Sequence, residues 1–271
     1  MRSLIFCFLL VPFLALSQND NNQNNTNSDN SQQEYLLVNT QYFSPKADKM
    51  TEFMDGLKAH NSKFHSEGGL GVRIYNVLNG DENHRFVAVM GPFKWSEMDK
   101  VKSDTWKEHQ QDWYNNVAPY LANEGANTFW RFHNDLSNFP PNFDINKLEI
   151  TTYDVARMQG DKMQEVLKKA VDVMKQKYPE LPFGIYTNEF SSTKEGRDMA
   201  IAYFFNDFKW LSDDPAFKKN YEEVNGQGSF DQFRSDWQEV TNGSQSEIWI
   251  FNSALSGIGS QVTTGSLFQK K

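Results

Sequence analysis

Hydrophobic and polar positions along the chain follow two periods, and their order suggests that one set of elements occurs twice. The runs at 34–43 and 147–156 are rich in β-branched and aromatic residues, which predicts strands. Each run is followed by a segment with apolar residues at 3.6-residue spacing, which predicts an amphipathic helix beginning near an Asp-Lys-Met sequence. These apolar positions are Met50, Phe53, Met54, Leu57 and Phe64 in the first segment, and Met163, Val166, Leu167, Ala170, Val171 and Met174 in the second.

Two further strands follow each predicted helix. Polar turns, "NGDENH" and "SSTKEG", join them and indicate hairpins. A second helical segment and a last strand, "TFWRFHNDL" or "SEIWIFNSAL", complete each half. The order β-α-β-β-α-β is the ferredoxin-like arrangement. We therefore predict an α+β fold built from tandem ferredoxin-like units, in which two sheets cover each other's bare faces.

The tryptophans support a repeat. "FKW" occurs at 93–95 and again at 208–210, each time after an apolar run. Six of the seven tryptophans form pairs in the same order along the chain: Trp95 with Trp210, Trp113 with Trp237, and Trp130 with Trp249. Because both halves carry them, we interpret these residues as core or corner residues of the shared unit.

The chain divides into six predicted regions. Residues 1–17 are predicted as a signal peptide, since an apolar run too short to span a bilayer precedes small residues at 15 and 17. Residues 18–33 have no apolar side chain and are predicted as a disordered Asn/Gln-rich tether. The first repeat is predicted at 34–136, a proline-containing linker at 137–146, the second repeat at 147–255 and a flexible tail at 256–271.

Composition narrows the choice of partners. The formal net charge is −8, which disfavours nucleic acid and anionic lipid. The only cysteine, Cys7, lies in the predicted signal peptide, so a mature chain has no disulfide or thiolate site. We expect a secreted or periplasmic protein without a membrane anchor after cleavage. A small-molecule ligand is possible, and internal pairing of the halves favours a monomer with an intramolecular pseudo-dimer.

One stretch resembles a known superfamily. "DFKWLSDDPAFKKNYEEV" (207–224) is similar to the strand–Trp–Ser-Asp-Pro-x-Phe-Lys–helix signature of the antibiotic-biosynthesis-monooxygenase-like and stress-responsive barrel families. "KSDTWKEHQQDW" (102–113) looks like the same segment in the first half. These families belong to the dimeric α+β barrel superfamily. The resemblance implies that the two antiparallel sheets pack as an intramolecular dimeric α+β barrel.

The superfamily includes cofactor-free monooxygenases, haem-degrading enzymes and chlorite dismutase-like haem proteins. The resemblance to its small haem-degrading branch points to an Asn on the first strand and a Trp and His on the second helix. Here Asn39 lies on a predicted first strand, and His109 follows Trp106 on a predicted helix. The spacing departs from that branch, and the position of its Trp carries Lys100. We predict no cofactor, with haem as the alternative.

All five histidines lie in the first half, so any imidazole site is single. The candidate catalytic residues are His109 and Asn39, and the candidate ligand-binding residues are Trp106, His109 and Asn39. The alternative for His109 is a hydrogen-bonded core histidine, and for Asn39 an interface or edge residue. His60 and His65 lie about 140° apart on a helix and are predicted to be surface residues, so no metal site is predicted.

Three functional hypotheses remain open. The first is a non-catalytic exported barrel that binds a small apolar or aromatic molecule between sheet and helices. The second is an enzyme, a cofactor-free monooxygenase-like or haem-degrading-like protein using His109 and Asn39. The third is a scaffold barrel. A polar cavity at His109 and Asn39 would favour the enzyme, whereas filling by tryptophan would favour the scaffold.

Overall fold

The computed structural model describes residues 34–192 and 194–264. The predicted signal peptide and tether, and the end of the predicted tail from residue 265, lie outside the described residues. Within the first half (34–136), strands and helices alternate as predicted from the hydrophobic pattern. They are β1 Leu37–Pro45, α1 Met50–Phe64, β2 Val72–Val77, β3 Phe86–Phe93, α2 Trp95–Met98, α3 Ser103–Asn116 and β4 Leu121–Phe132.

The rest of the chain has the corresponding order, with a short two-stranded addition. Its elements are β5 Asn142–Asp144, β6 Lys147–Val155, α4 Gly160–Lys177, β7 Phe183–Asn188, β8 Met199–Phe205, α5 Phe217–Asn225, α6 Ser229–Val240, β9 Thr241–Phe251 and β10 Gln261–Thr263. The second "FKW" lies in a 3₁₀ turn at Phe208–Ser212, directly after β8, and Trp95 begins α2 directly after β3. Both copies therefore mark the end of a third strand.

Eight strands close into one antiparallel barrel in the order β1-β3-β2-β9-β6-β8-β7-β4. The first half contributes the neighbours β4-β1-β3-β2, and the second half contributes β9-β6-β8-β7. The two runs join edge to edge, through β2 with β9 and β4 with β7. The sheets thus cover their bare faces by closing a single barrel, which leaves no open sheet edge between them.

Alternation along the strands separates an inner from an outer core. Tyr42 points into the barrel with Tyr75, Leu148 and Trp249, whereas the next residue, Phe43, packs outside. The outer core of the first half includes residues of α1, and that of the second half includes residues of α4 and α6. Among the described helices, none combines the length and apolarity needed to cross a membrane.

The predicted linker and the start of the predicted tail are more ordered than their composition suggested. β5, within the linker, pairs with β10, within the tail. Phe139 and Phe143 from the linker and Val262 from the tail pack against the inner core. The paired prolines do interrupt regular structure, but apolar side chains on either side of them give these segments surface to bury.

Candidate metal centre

Three histidines meet between α1 and α3. His60 lies in the last part of α1 and is only 2% exposed. His65 follows the last helical residue and has a non-helical φ of −131°. His109 projects from α3 towards both of them, and its neighbour Trp106 stacks on it with ring centroids 5.5 Å apart and an interplanar angle of 10°. The three imidazoles thus come from two packed helices and the end of one.

The three rings approach through the same kind of nitrogen atom. The Nε2 atom of His109 lies 3.1 Å from Nε2 of His60 and 3.0 Å from Nε2 of His65. One ligating nitrogen from each residue lies within 4.8 Å of the other two. With Zn–N bonds of about 2.0–2.1 Å, two nitrogen ligands lie about 2.9 Å apart at a right angle and about 3.4 Å apart at a tetrahedral angle. Both Nε2–Nε2 separations from His109 fall within this range.

The other ring nitrogens of His60 and His65 are held by hydrogen-bond acceptors. His60 Nδ1 lies 2.7 Å from an Asp112 carboxylate oxygen, and His65 Nδ1 lies 2.9 Å from the Leu70 carbonyl oxygen. Because a carbonyl oxygen and a carboxylate can only accept, each Nδ1 carries the proton and donates. In a neutral ring, each Nε2 then presents a lone pair. Support of Nδ1 by a carboxylate or a backbone carbonyl is the usual arrangement around metal-bound histidines.

The Nε2 atoms of the three rings cannot all be satisfied by hydrogen bonds to one another. The two lone pairs of His60 and His65 both face one atom, Nε2 of His109, which can carry only one proton. At least one of the two contacts would therefore set lone pair against lone pair at about 3 Å. His109 Nδ1 is itself buried and has no hydrogen-bond partner among the described residues. A cation between the three Nε2 atoms would remove the conflict.

Burial keeps the cluster neutral. It lowers the pKa of His60, against the opposing effect of Asp112. Burial also lowers the pKa of His65 to about 4 and that of His109 to about 4, the latter with help from the neighbouring imidazoles. Neutral imidazole is the form that binds metal ions. At neutral pH all three side chains are therefore in the ligating form.

The surroundings of the cluster are aromatic. The rings of Phe64 and Trp113 contact the His60 ring at centroid distances of 5.1 Å and 5.3 Å, and Phe64 also contacts His109. Trp106 covers His109 from the solvent side and is 47% exposed. Phe64 and Trp113 thus shield the cluster on the side where the two helices pack, and the cluster lies close to solvent at Trp106.

This geometry corrects one prediction, because His60 is buried and His65 is partly buried, so neither is a surface residue. Together with His109 they form a candidate metal site, whereas the sequence analysis predicted none. The 140° separation applies only within one helix, and His65 already lies beyond the end of α1. The available signal was topological: the two helices of a ferredoxin-like unit pack side by side, so histidines on both can converge.

Asn39 lies elsewhere. Its amide donates to the Asn127 side-chain oxygen at 2.5 Å and to the Thr128 carbonyl oxygen at 3.1 Å, both on β4. The structure therefore brings Trp106 and His109 together, but it places Asn39 in hydrogen bonds across the sheet. The pairing of Asn39 with His109 that the family resemblance implied is not formed.

A cavity of about 580 Å³ lies between α4 and the sheet of the second half. Its lining includes Met163, Leu167 and Ile185, together with His133, which comes just after β4. His133 Nε2 is 2.8 Å from the Thr187 hydroxyl. A cavity between sheet and helix is thus present in the second half, away from His109.

The histidines do not suit haem. A porphyrin needs one imidazole directed at an open plane, whereas the three Nε2 atoms of the cluster converge on one another. In the larger cavity, the candidate nitrogen of His133 is already engaged with Thr187. Neither the cluster nor His133 therefore presents a free imidazole nitrogen to an open haem plane.

Comparison with known proteins finds structures with a similar fold but no sequence relative. No protein-family model and no curated protein sequence matches the chain. Among solved structures, chlorite dismutase from Candidatus Nitrospira defluvii in complex with imidazole matches with a TM-score of 0.50 and 6% identity, covering 82% of this chain and 93% of that chain. A monooxygenase-like protein from Lactobacillus acidophilus NCFM matches with a TM-score of 0.49 and 8% identity, covering 80% and 94%. An anthrone oxidase-like protein matches with a TM-score of 0.48 and 8% identity, covering 87% and 95%.

At these identities the similarity concerns the fold alone. The match to the chlorite dismutase structure agrees with the mixed α+β architecture, with its large antiparallel sheet and its helices. The chain therefore has a mixed α+β barrel fold of the ferredoxin-like kind.

Proposed function

We propose that this protein binds a divalent transition-metal ion, with zinc as the first candidate, through Nε2 of His60, His65 and His109. The observation that carries the proposal is the convergence of three Nε2 atoms, two of which are fixed as lone-pair donors by Asp112 and Leu70. Imidazole ligands suit zinc, copper, iron and nickel. Three histidines also leave a coordination position for water or a small ligand, as in catalytic zinc sites. The chemistry this supports is activation of a bound water or polarisation of a bound oxygen.

The test is a zinc titration of the untagged protein after treatment with EDTA, using competition with a chromophoric chelator. We expect one tight site per chain. The variant His109→Ala is expected to lose more affinity than the ~10–100-fold that removal of a supporting partner of a metal ligand costs.

The matched control is His84→Ala, which removes an exposed histidine from the β2–β3 turn. This variant should bind zinc like the parent. Absence of a tight site in the parent, or equal loss in both variants, contradicts the proposal.

A second candidate function is the binding of a small apolar molecule in the cavity under α4. A volume of about 580 Å³ lies within the ~300–1,000 Å³ typical of ligand pockets. The test is a screen of apolar aromatic compounds by thermal shift, with Leu167→Trp to fill the cavity and Leu211→Trp, at a position 40% exposed, as the control. Binding that survives the filling variant would count against this site.

The architecture supports further proposals. The repeated strand order and the matching positions of the tryptophans on corresponding elements favour a duplicated unit that forms an intramolecular pseudo-dimer. We also propose, from the N-terminal sequence, that the protein is exported and, from the internal pairing of the two halves, that it is monomeric. N-terminal sequencing of the mature protein and its mass in solution test these two statements. A monooxygenase-like activity would need a partner for His109 other than Asn39.

A further inference from the structure

The barrel interior contains a second unassigned feature, a cavity of about 120 Å³. Its wall is largely aromatic, formed by rings from strands of both halves. Ala200 and Ala202 on β8 are small side chains in this wall and leave space opposite the rings. The rings include those of Tyr42, Tyr75, Trp130, Phe132, Tyr186 and Trp249.

One charged side chain in this wall lacks an acidic partner. Arg73 on β2 is 8% exposed, and it donates to the carbonyl oxygens of Gly259 at 2.8 Å and Gln261 at 3.3 Å. Within residues 34–192 and 194–264, no ion pair links Arg73 to a carboxylate. The other arginine of the wall, Arg197, does pair with Glu82, at 3.4 Å.

An unpaired buried guanidinium is costly. Backbone carbonyls provide partial charges, whereas a carboxylate provides a full opposite charge and accepts two parallel hydrogen bonds from the guanidinium. Burial lowers the pKa of Arg73, but the ordinary pKa of the group is so high that it stays charged. The cavity therefore combines an apolar aromatic wall with one uncompensated positive charge.

We propose that the barrel cavity binds a small aromatic carboxylate of the benzoate class, with the carboxylate paired to Arg73 and the ring against the aromatic wall. The volume of about 120 Å³ is smaller than the ~150 Å³ of an apolar cavity that accepts benzene, so the occupant can have no more than a single ring. The ring would contact Tyr75 and Trp249, while the charge would compensate the guanidinium. This site is separate from the histidine cluster, which lies outside the barrel between α1 and α3.

The experiment is isothermal titration of the full chain with benzoate and with benzyl alcohol, a neutral molecule of similar size. EDTA is present throughout, and the titration is repeated with His109→Ala, because a carboxylate can also bind a metal ion. We expect benzoate to bind at least about tenfold more tightly than benzyl alcohol, since charge-assisted hydrogen bonds are the stronger ones. Equal affinities, or no benzoate binding by the folded parent, would overturn the proposal.

Two variants locate the site. Arg73→Met should lose benzoate binding by at least about tenfold, whereas Arg234→Met, which removes an exposed arginine of α6, should not change it. Ala202→Leu should block benzoate binding by filling the cavity. If Arg73→Met fails to fold, Ala202→Leu alone tests whether benzoate binds in this cavity. Benzoate affinity that stays at the parent value in either folded cavity variant places binding elsewhere and overturns the proposal.

Discussion

At the scale of single residues, the direction of each histidine proton decides what the cluster can do. Asp112 and the Leu70 carbonyl fix the protons of His60 and His65 on Nδ1, so both rings turn lone pairs towards His109. The sequence singled out His109 because it shares a helical face with Trp106, and the structure places these two rings in a stack. Tautomers could not be predicted, since they depend on an acceptor from α3 and on a carbonyl in the loop after α1.

The supporting role of Asp112 gives the first prediction. Asp112→Ala removes the acceptor for His60 Nδ1, frees the ring to turn, and should weaken zinc binding by about 10–100-fold. Chelator competition measures the change. Glu108→Ala is the control, because Glu108 lies on the same helix but pairs with Lys63 at the surface. Similar affinities for Asp112→Ala and the parent would argue against the hydrogen-bonded support.

Glu247 provides a prediction of pH dependence. It is 4% exposed and accepts hydrogen bonds from the Tyr42 hydroxyl and the Trp249 indole. Burial raises its pKa above the usual 4.5, against the effect of these hydrogen bonds. Above pH 4.5 the folded state therefore retains the proton longer than the unfolded state, and the contribution of Glu247 to stability falls as pH rises through the folded pKa.

Glu247→Gln keeps an oxygen acceptor for both donors and removes the charge. We expect the variant to be more stable than the parent at pH 8, with the difference vanishing as the pH falls below 4.5. Thermal unfolding over this pH range measures the difference, and the exposed Glu195→Gln serves as the control. A variant that is less stable than the parent at pH 8 would contradict this sign.

At the scale of elements, periodicity predicted helices and strands well where one face is buried. The spacing of Phe53 and Leu57 identifies the buried face of α1, because both contact the sheet. Segments without a clear hydrophobic period were harder to predict. The Gly/Ser/Thr-rich stretch from Ser256 looks loose by composition, yet Ser256 accepts a hydrogen bond from the Ile74 amide at 2.8 Å. Contacts of this kind join residues far apart in the chain, which local patterns do not report.

The chain just before that segment gives the next prediction. Leu255 is 2% exposed and packs in the core under α1, and its carbonyl accepts from the Asn61 amide at 2.7 Å. Leu255→Ala should lower the free energy of unfolding by about 2–5 kcal/mol. Leu78→Ala, at a position 48% exposed, is the control and should have little effect. Denaturant unfolding measures the change in the free energy of unfolding. An unchanged midpoint for Leu255→Ala would mean that this part of the chain is loosely attached.

At the scale of the whole molecule, the barrel makes the two halves depend on each other. The inner core joins Tyr42 and Tyr75 of the first half to Leu148 and Trp249 of the second. The sequence predicted the order of elements and the covering of the two sheets. It could not specify closure through β2 with β9 and β4 with β7, because edge pairing depends on register between distant segments.

Because the two halves share the inner core, a single substitution in that core should destabilise both halves. Trp249 is 3% exposed, and its ring lies 6.0 Å from both Tyr42 and Tyr75 by centroid distance. Trp249→Ala should cost about 3–5 kcal/mol and weaken hydrogen-exchange protection in both halves. Separate unfolding of the second half, with β1 and α1 still protected, would contradict a cooperative barrel.

The most direct test of the account is a crystal structure of the zinc-loaded protein with diffraction data on both sides of the zinc absorption edge. We predict one strong anomalous peak per chain between α1 and α3, about 2.0–2.1 Å from Nε2 of His60, His65 and His109. A zinc-loaded crystal with no peak there, or with zinc held only by surface carboxylates, would contradict the assignment of this cluster as a metal centre.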